Sequence, residues 1–404
     1  MFDGFHSLGD AEIINKGRTA AYVRSFLSHA VDLWCKDAEN LHLALQDAPY
    51  ISPAADGAPW YRASNPATAK FYGLYPTTLA GMEDSTRTVT VTELAGDGAI
   101  QSIPRHGSKE LRFRGVMFAE DEDGMEAGMV WLRAVLDDSP CGQRGMDCEG
   151  RDLFFYTVNP SHEVGATAIA NADNYLRVMH RVEPLDGPRV VEKLNVRGAV
   201  MWEVEFILNA GLPWAYTLPV PVTTTTNVVP TVQPEVYCPT QTDAYDQLVV
   251  DPQEPGVARP PRPPLIEPFV MPTEWNRYQM TIGAQFGERA GRVVPVVRLT
   301  TGASEARKVR VRFYRNGYDG ACDYEGEFFV TYIPANAVLT IDGPRKKMTV
   351  TVGGEEKPAG NLVVGSDGRP ALWPTMSCNS SYWVIVDSVG ALTATVATDL
   401  SIRE

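Results

Sequence analysis

Apolar and polar residues alternate with a period of two through much of the first half of the chain. The clearest stretches are Thr86 to Leu94 (TRTVTVTEL), Leu111 to Ala119 (LRFRGVMFA) and Val200 to Leu208 (VMWEVEFIL). Such alternation places apolar side chains on one face and polar ones on the other, which predicts half-buried antiparallel strands. Leu185-Asp186-Gly187-Pro188 separates the apolar-patterned Tyr175 to Val182 from Val190 to Val196. Asp-Gly favours a tight turn because glycine accepts positive φ, so a hairpin is expected there, followed by a meander ending near Asn209. One helix breaks the pattern: Met125, Met129, Leu132 and Leu136 recur at spacings of four, three and four after the acidic run Glu120 to Asp123. Carboxylates at that entry complement the positive end of the helix dipole. A calcium loop would need regularly spaced ligands, and this run does not supply them.

From Ile266 to Glu404 the pattern is almost wholly β. Strands are predicted at Val293 to Leu299, Val309 to Tyr314, Phe328 to Ile333, Val338 to Ile341, Met348 to Val352, Tyr382 to Val386 and Leu392 to Ala397. Asn316-Gly317, Asp342-Gly343-Pro344 and Gly353-Gly354 supply the turns. Short strands at regular spacing over ~140 residues predict a β-sandwich or jelly roll. Between the two regions, eight prolines crowd the twenty-one residues from Pro252 to Pro272. Proline fixes φ and removes a backbone donor, so this tract reads as a stiff, extended spacer. The fold class is therefore mainly β: residues 1–220 form a β-barrel or sandwich domain with one or two helices, 221–264 a Thr/Pro-rich linker opening at Thr223 to Thr226, and 265–404 a second β-sandwich. No repeat at a fixed period is present, which argues against a propeller or solenoid.

A chain of 404 residues exceeds what one core usually organises, and its 44% hydrophobic and 21% charged residues are ordinary for a globular protein. No apolar run approaches the roughly 20 residues that span a bilayer. The start, MFDGFHSLGDAEIINKGRT, lacks the basic, apolar and small-residue zones of a signal peptide, and synthesis in cytoplasm is expected. A net charge of −14 disfavours nonspecific nucleic-acid binding. The basic runs Arg307 to Arg312 and Arg345 to Lys347 are short, and Arg310 and Arg312, alternating with Val309, Val311 and Phe313, read as the solvent face of a strand.

No phosphate loop, dinucleotide fingerprint, His-Glu-x-x-His or Gly-x-Ser-x-Gly motif occurs, and no cofactor or metal is expected. Gly365-Ser366-Asp367-Gly368 reads as a turn, and Ser161-His162-Glu163 as a solvated loop. Asp319, Asp323, Glu325 and Glu327, beside Tyr318 and Tyr324, are the best pair-forming carboxylates for a glycosidase, against the simpler reading of a polar hairpin loop. The cysteines are Cys35, Cys141, Cys148, Cys238, Cys322 and Cys378. Cys141 and Cys148 flank a loop short enough for a local disulfide, and Cys322 and Cys378 share the second domain; buried thiols are the alternative for both pairs. Trp202 belongs to an alternating strand and reads as core. Trp214, Tyr216 and Trp373 stand at element ends, where aromatic rings anchor an interface, stack on sugars or pack under a loop.

Several stretches together resemble the minor tail proteins of tailed bacteriophages of actinobacterial hosts, of the distal tail protein type in siphophages. The resemblance is carried by Glu12-Ile13-Ile14-Asn15 with Arg18-Thr19 and Tyr22, by VEPLDGPRVVEKL leading into WEVEFILNAGLPWAY, by RPPRPPLIEP, and by LTIDGPRKKMTV with NLVVGSDGRPALWP. It covers most of the chain, and the long connector with Cys238 departs from the simplest pattern. The resemblance implies an N-terminal domain that forms a homo-oligomeric ring, a hexamer, and a galectin-like C-terminal sandwich. It further implies a place at the distal end of the virion tail, assembly in the host cytoplasm, and the tail tube protein, tape measure protein, tail-tip hub protein and other minor tail proteins as partners. It implies a structural role in DNA passage without enzymatic activity, and an acidic domain suits a channel that DNA must not stick to. The alternative role is a carbohydrate-binding module for host-surface glycan, resting on the second sandwich and Trp373.

Overall fold

The computed structural model describes residues 2–27, 38, 40–84, 87–94, 97–102, 105–137, 150–160, 172–196, 198–234, 274–284, 291–316, 323–365 and 370–404. The proline tract, Ser161-His162-Glu163, Gly317, Tyr318, Asp319, the turn residues 366–368, and Cys35, Cys141, Cys148, Cys238 and Cys322 lie outside them. The chain divides into two compact units, Met1–Leu218 and Pro219–Glu404.

The first unit comprises β1 (Phe5–Leu8), β2 (Ala11–Asn15), α1 (Lys16–Phe26), α2 (Leu41–Ala44), β3 (Phe71–Ala80), β4 (Arg87–Thr88), β5 (Val91–Glu93), β6 (Ala99–Gln101), β7 (Arg105–His106), β8 (Lys109–Ala119), α3 (Glu122–Asp137), β9 (Arg151–Tyr156), β10 (Leu176–Val196), β11 (Ala199–Ala210) and β12 (Ala215–Tyr216). Its main sheet is antiparallel, in the order β2-β1-β9-β10-β11-β8-β3. The sheet does not close into a barrel. Period-two alternation sorts the faces: Leu111, Phe113 and Met117 of β8 join Val204, Phe206 and Leu208 of β11 in the core, while Arg114 pairs with Glu203 on the other face. The helix predicted from Met125, Met129, Leu132 and Leu136 is α3, and all four are buried. Asp121 caps it, its Oδ1 accepting from the Gly124 amide at 2.9 Å, as the acidic entry led one to expect. Gly128 lets the helix approach the sheet closely, since a Cβ there would lie 2.3 Å from the Phe71 ring.

Two expectations for this unit are corrected. The chain does not reverse at Asp186-Gly187: β10 is continuous, and the residues form a bulge with register shifts between Pro184/Asp186 and Asp186/Arg189. Pairing with β11 continues on both sides, so the positive φ of Gly187 (89°) serves a bulge instead of a turn. The reversal falls later, between Val196 and Ala199, with Gly198 at φ 80°. The second correction concerns Thr86 to Leu94. The excursion between β3 and β8 forms a narrow arm of two-stranded ribbons, β4 with β7 and β5 with β6. Its aliphatic side chains face solvent, because neither ribbon joins a wider sheet that could cover them.

The second unit comprises β13 (Val220–Thr224), β14 (Thr231–Pro234), β15 (Glu274–Ile282), β16 (Arg292–Thr301), β17 (Ala306–Arg315), β18 (Tyr324–Ile333), β19 (Ala337–Asp342), β20 (Lys347–Val352), β21 (Glu355–Pro358), β22 (Val363–Val364), β23 (Met376–Ser377), β24 (Tyr382–Ser388) and β25 (Ala394–Arg403). One sheet runs β13-β25-β16-β19-β20-β21 with β23 on β16, and the other runs β14-β15-β24-β17-β18-β22. Val297, Leu299, Leu339 and Val396 from the first and Phe313, Phe328 and Val384 from the second fill the core between them, which also holds Cys378. The start of the expected linker is structured: Thr223 and Thr224 pair with β25, and Thr225 exchanges hydrogen bonds with Val396. Arg310 and Arg312, expected on a solvent face, are 2% and 3% exposed. Carboxylates on neighbouring strands reach them, Asp387 for Arg310 and Glu327 for Arg312, and this cross-strand pairing is what lets the charges be buried.

Candidate functional site

Glu12, Asn15, Arg18 and Tyr22 were singled out in the sequence without a mechanism; in the fold they meet. Asn15 ends β2 and caps α1, its Oδ1 accepting from the Arg18 amide at 2.9 Å. Spacings of three and four then stack Asn15, Arg18 and Tyr22 along one side of the helix. Arg18 Nε donates to Glu12 Oε1 at 2.9 Å, and its Nη2 donates to Asp47 Oδ2 at 3.2 Å. The guanidinium lies 4.3 Å from the centroid of the Tyr50 ring. Asn15 Nδ2 donates to Glu12 Oε2 and to Tyr50 Oη, both at 2.9 Å, while Tyr50 donates to Asp47 at 2.7 Å. Tyr22 donates to Asp56 Oδ2 at 2.7 Å, and the same oxygen accepts from the Ile51 amide.

Burial raises the Tyr22 and Tyr50 hydroxyls well above the ordinary phenol range, helped by their hydrogen bonds to Asp56 and Asp47. Burial opposes the charge of Arg18, but Glu12 and the flanking tyrosines outweigh it and raise its pKa. Burial also raises Glu12, against the pull of Arg18 and Asn15. The polar atoms point at one another and not into a cleft, so the arrangement is suited to fastening and not to proton transfer. It ties β2, α1 and the 47–56 segment into one frame. Asp47, Tyr50 and Asp56 were missed by sequence reasoning because they lie in irregular chain with no periodicity to mark them.

A second buried group in β1 is chemically different. His6 is fully buried, with an edge contact to Phe113 at 5.2 Å and a stacked contact to Phe155 at 6.2 Å between ring centroids. Neither ring nitrogen has a hydrogen-bond partner among the described residues, and burial pushes its pKa down to about 3. Because the folded value lies below the unfolded one near 6.5, the stability it carries is complete above that pH and is lost as pH falls toward 3. Acid titration of unfolding should therefore show a loss on the order of 2 kcal/mol between pH 6.5 and 5 from this group. The His6→Phe variant is expected to abolish that component; an unchanged acid slope would show that it arises elsewhere.

The candidate aromatics are held inside their own units. Trp214 packs on His106 of β7, with ring centroids 4.4 Å apart, and so fastens the base of the arm. Tyr216 is buried in β12 beside His180. Trp373 is half-buried in a T-shaped contact with Phe328, their ring centroids 5.4 Å apart, and Lys346 Nζ stands 4.9 Å from its ring centroid. Two members of the acidic cluster form ion pairs: Glu327 is buried against Arg312, and Glu325 lies 3.4 Å from Arg315.

Beyond its base the arm is open. Val91 is 52% and Ile100 61% exposed, and Val89 and Leu94 are exposed as well. A second open strip runs along β10. Residues 176–182 pair with β9, but from Glu183 to Val196 β10 pairs only with β11 among the described residues. This stretch carries exposed Leu185 (61%), Val191, Leu194 (50%) and Val196.

No protein-family model matches the chain, and no curated protein matches its sequence. Among solved structures, the Dit (gp 19.1) protein of phage SPP1, described as a paradigm of the hub adsorption apparatus in phages infecting Gram-positive hosts, aligns with a TM-score of 0.39 at 11% identity, covering 83% of this chain and 95% of that one. The baseplate of phage p2 in its activated conformation aligns in its strontium form with a TM-score of 0.38 at 8% identity, covering 82% of this chain and 90% of that one. Its calcium form gives a TM-score of 0.35 at 8% identity, with coverage of 78% and 90%.

Proposed function

We propose that this chain is a structural component of a phage tail tip, whose first unit assembles with copies of itself into a ring joining the tail tube to the distal tip complex. The observation that carries this reading is the pair of exposed apolar strips on the first unit, one on the arm and one from Leu185 to Val196 on β10. Isolated apolar residues are normal on a surface, but a two-stranded ribbon and a strand segment that each carry several exposed aliphatics are liabilities unless a partner covers them. The sequence resemblance to distal tail proteins supports this reading, and Glu12 to Tyr22, among the residues that carry it, belong to the buried frame of the first unit. A ring of six with an acidic lumen gives DNA a passage to which it does not adhere. None of this requires catalysis.

The test is mass measurement by light scattering together with electron microscopy of the full-length protein, alone and mixed with purified tail tubes. A closed ring with a central hole is expected. A monomer at every concentration, with tubes as well as without, overturns the reading.

A further inference from the structure

We infer that a cleft in the first unit, between α3 and residues 59–68, is a binding site for an uncharged sugar. The site is complete within one protomer and needs no ring. The cleft encloses about 520 Å³, inside the range of roughly 300–1,000 Å³ typical of small-ligand sites. Its shape follows from local packing. Gly124 seats α3 on the chain at Lys70, since a Cβ there would lie 2.8 Å from the Lys70 carbonyl oxygen, and Lys70 pairs with Asp121 beside it. Trp60 and Trp131, both buried, line the base with ring centroids 5.4 Å apart. Spacings of three and four bring Asp123, Glu126 and Val130 of α3 along one wall, and Arg62 and Asn65 line the other. Val130 is 56% exposed and gives the wall an apolar surface.

The polar groups of the loop wall are half engaged. Arg62 Nη1 donates to the carbonyl oxygens of Pro59 at 3.1 Å and Tyr61 at 2.8 Å, which holds the guanidinium in place while Nε and Nη2 have no partner among the described residues. Asn65 Oδ1 accepts from the Ala67 amide at 3.2 Å, which leaves Nδ2 likewise unengaged. Across the cleft, the side chains of Asp123 and Glu126 make no hydrogen bond or ion pair among the described residues, and neither reaches Arg62. One wall therefore donates and the other accepts. A sugar hydroxyl does both, so an uncharged polyol engages the two walls at once and lays its C–H face against Val130 and the base. An anion would be drawn to Arg62 but repelled by two carboxylates. A cationic side chain would satisfy the acids yet face Arg62 and leave its donors without an acceptor. Donors already anchored to backbone lose little freedom on binding.

The test titrates the full-length protein with glucose, galactose, mannose and N-acetylglucosamine, followed by saturation-transfer NMR. Glucose 6-phosphate and glucosamine serve as anionic and cationic counterparts, and a short arginine-containing peptide as the rival ligand. At least one uncharged sugar is expected to bind with Kd on the order of 1 mM, and the charged counterparts about tenfold more weakly. Arg62→Ala and Glu126→Ala, both at exposed positions, should each weaken binding of that sugar about tenfold, the cost of losing a hydrogen bond to a charged group. Arg133→Ala, exposed on the same helix outside the cleft, should leave it unchanged, and melting curves show that each variant folds. Three results overturn the site: no sugar of the panel binds, the bound sugar is indifferent to both cleft variants, or the peptide binds in its place. Glucose 6-phosphate binding as tightly as glucose overturns the preference for an uncharged ligand.

Discussion

Replacing Arg18 by methionine is expected to lower the stability of the first unit by about 4 kcal/mol, the range found when one partner of a buried ionic network is removed. The side chain is held by Glu12 and Asp47 and covered by the Tyr50 ring. Methionine fills much of the same space, so the loss is electrostatic: the Glu12 carboxylate is left buried with only Asn15 donating to it. Removing the orphan should recover much of the deficit, making the Glu12→Leu, Arg18→Met pair less destabilised than Arg18→Met alone. Calorimetry of the full chain provides the readout. For a unit of this size the transition should fall by roughly 10 °C, while the transition of the second unit stays in place. A loss below about 1 kcal/mol would mean that solvent reaches the network, and that it does not hold β2, α1 and the 47–56 segment together.

What the sequence revealed follows from which interactions are local. Period-two alternation located β8, β11 and most strands of the second unit, because a strand with one apolar face writes its burial directly into its order of residues. The helix at Met125 to Leu136 was legible from its own apolar period, with its cap, Asp121, inside the predicted acidic entry Glu120 to Asp123. Asp186-Gly187 misled because turn chemistry is only a local preference, and the pairing of β10 with β11 on either side of it overrode that preference. Thr86 to Leu94 has the alternation of a covered strand but lacks a covering face, which no local pattern discloses. The Glu12 to Tyr22 frame was marked in the sequence only by the resemblance: α1 carries no apolar periodicity that announced it as a helix, and the partners Asp47, Tyr50 and Asp56 arrive from irregular chain. Arg310 and Arg312 were misplaced because a charged residue alternating with valine looks solvated until strands distant in sequence bring carboxylates beside it.

That last case yields the second large effect, in the other unit. Asp387 is fully buried in β24, between β15 and β17, and register places it directly opposite both Arg277 and Arg310. Arg277 Nε donates to Oδ1 at 2.8 Å, and Arg310 Nη2 donates to Oδ2 at 2.9 Å. The Arg310 guanidinium also stands 4.5 Å from the Trp275 ring centroid. One carboxylate therefore serves two cations, and the Asp387→Ala variant leaves both without it. We expect a loss of about 4–5 kcal/mol, confined to the second unit. The Asp387→Asn variant keeps the shape and some hydrogen bonding but not the charge, and should fall between the variant and the unaltered chain. Glu327 serves a single buried arginine, Arg312, so Glu327→Ala should cost less, about 3 kcal/mol. The order Asp387→Ala, then Glu327→Ala, is the decisive quantity, since both variants remove one buried carboxylate from the same sheet and differ in how many arginines they strand. Equal losses would assign the cost to packing around the deleted side chain; a larger loss at Glu327 would show that Arg277 and Arg310 are held by the Trp275 ring and solvent and not by Asp387.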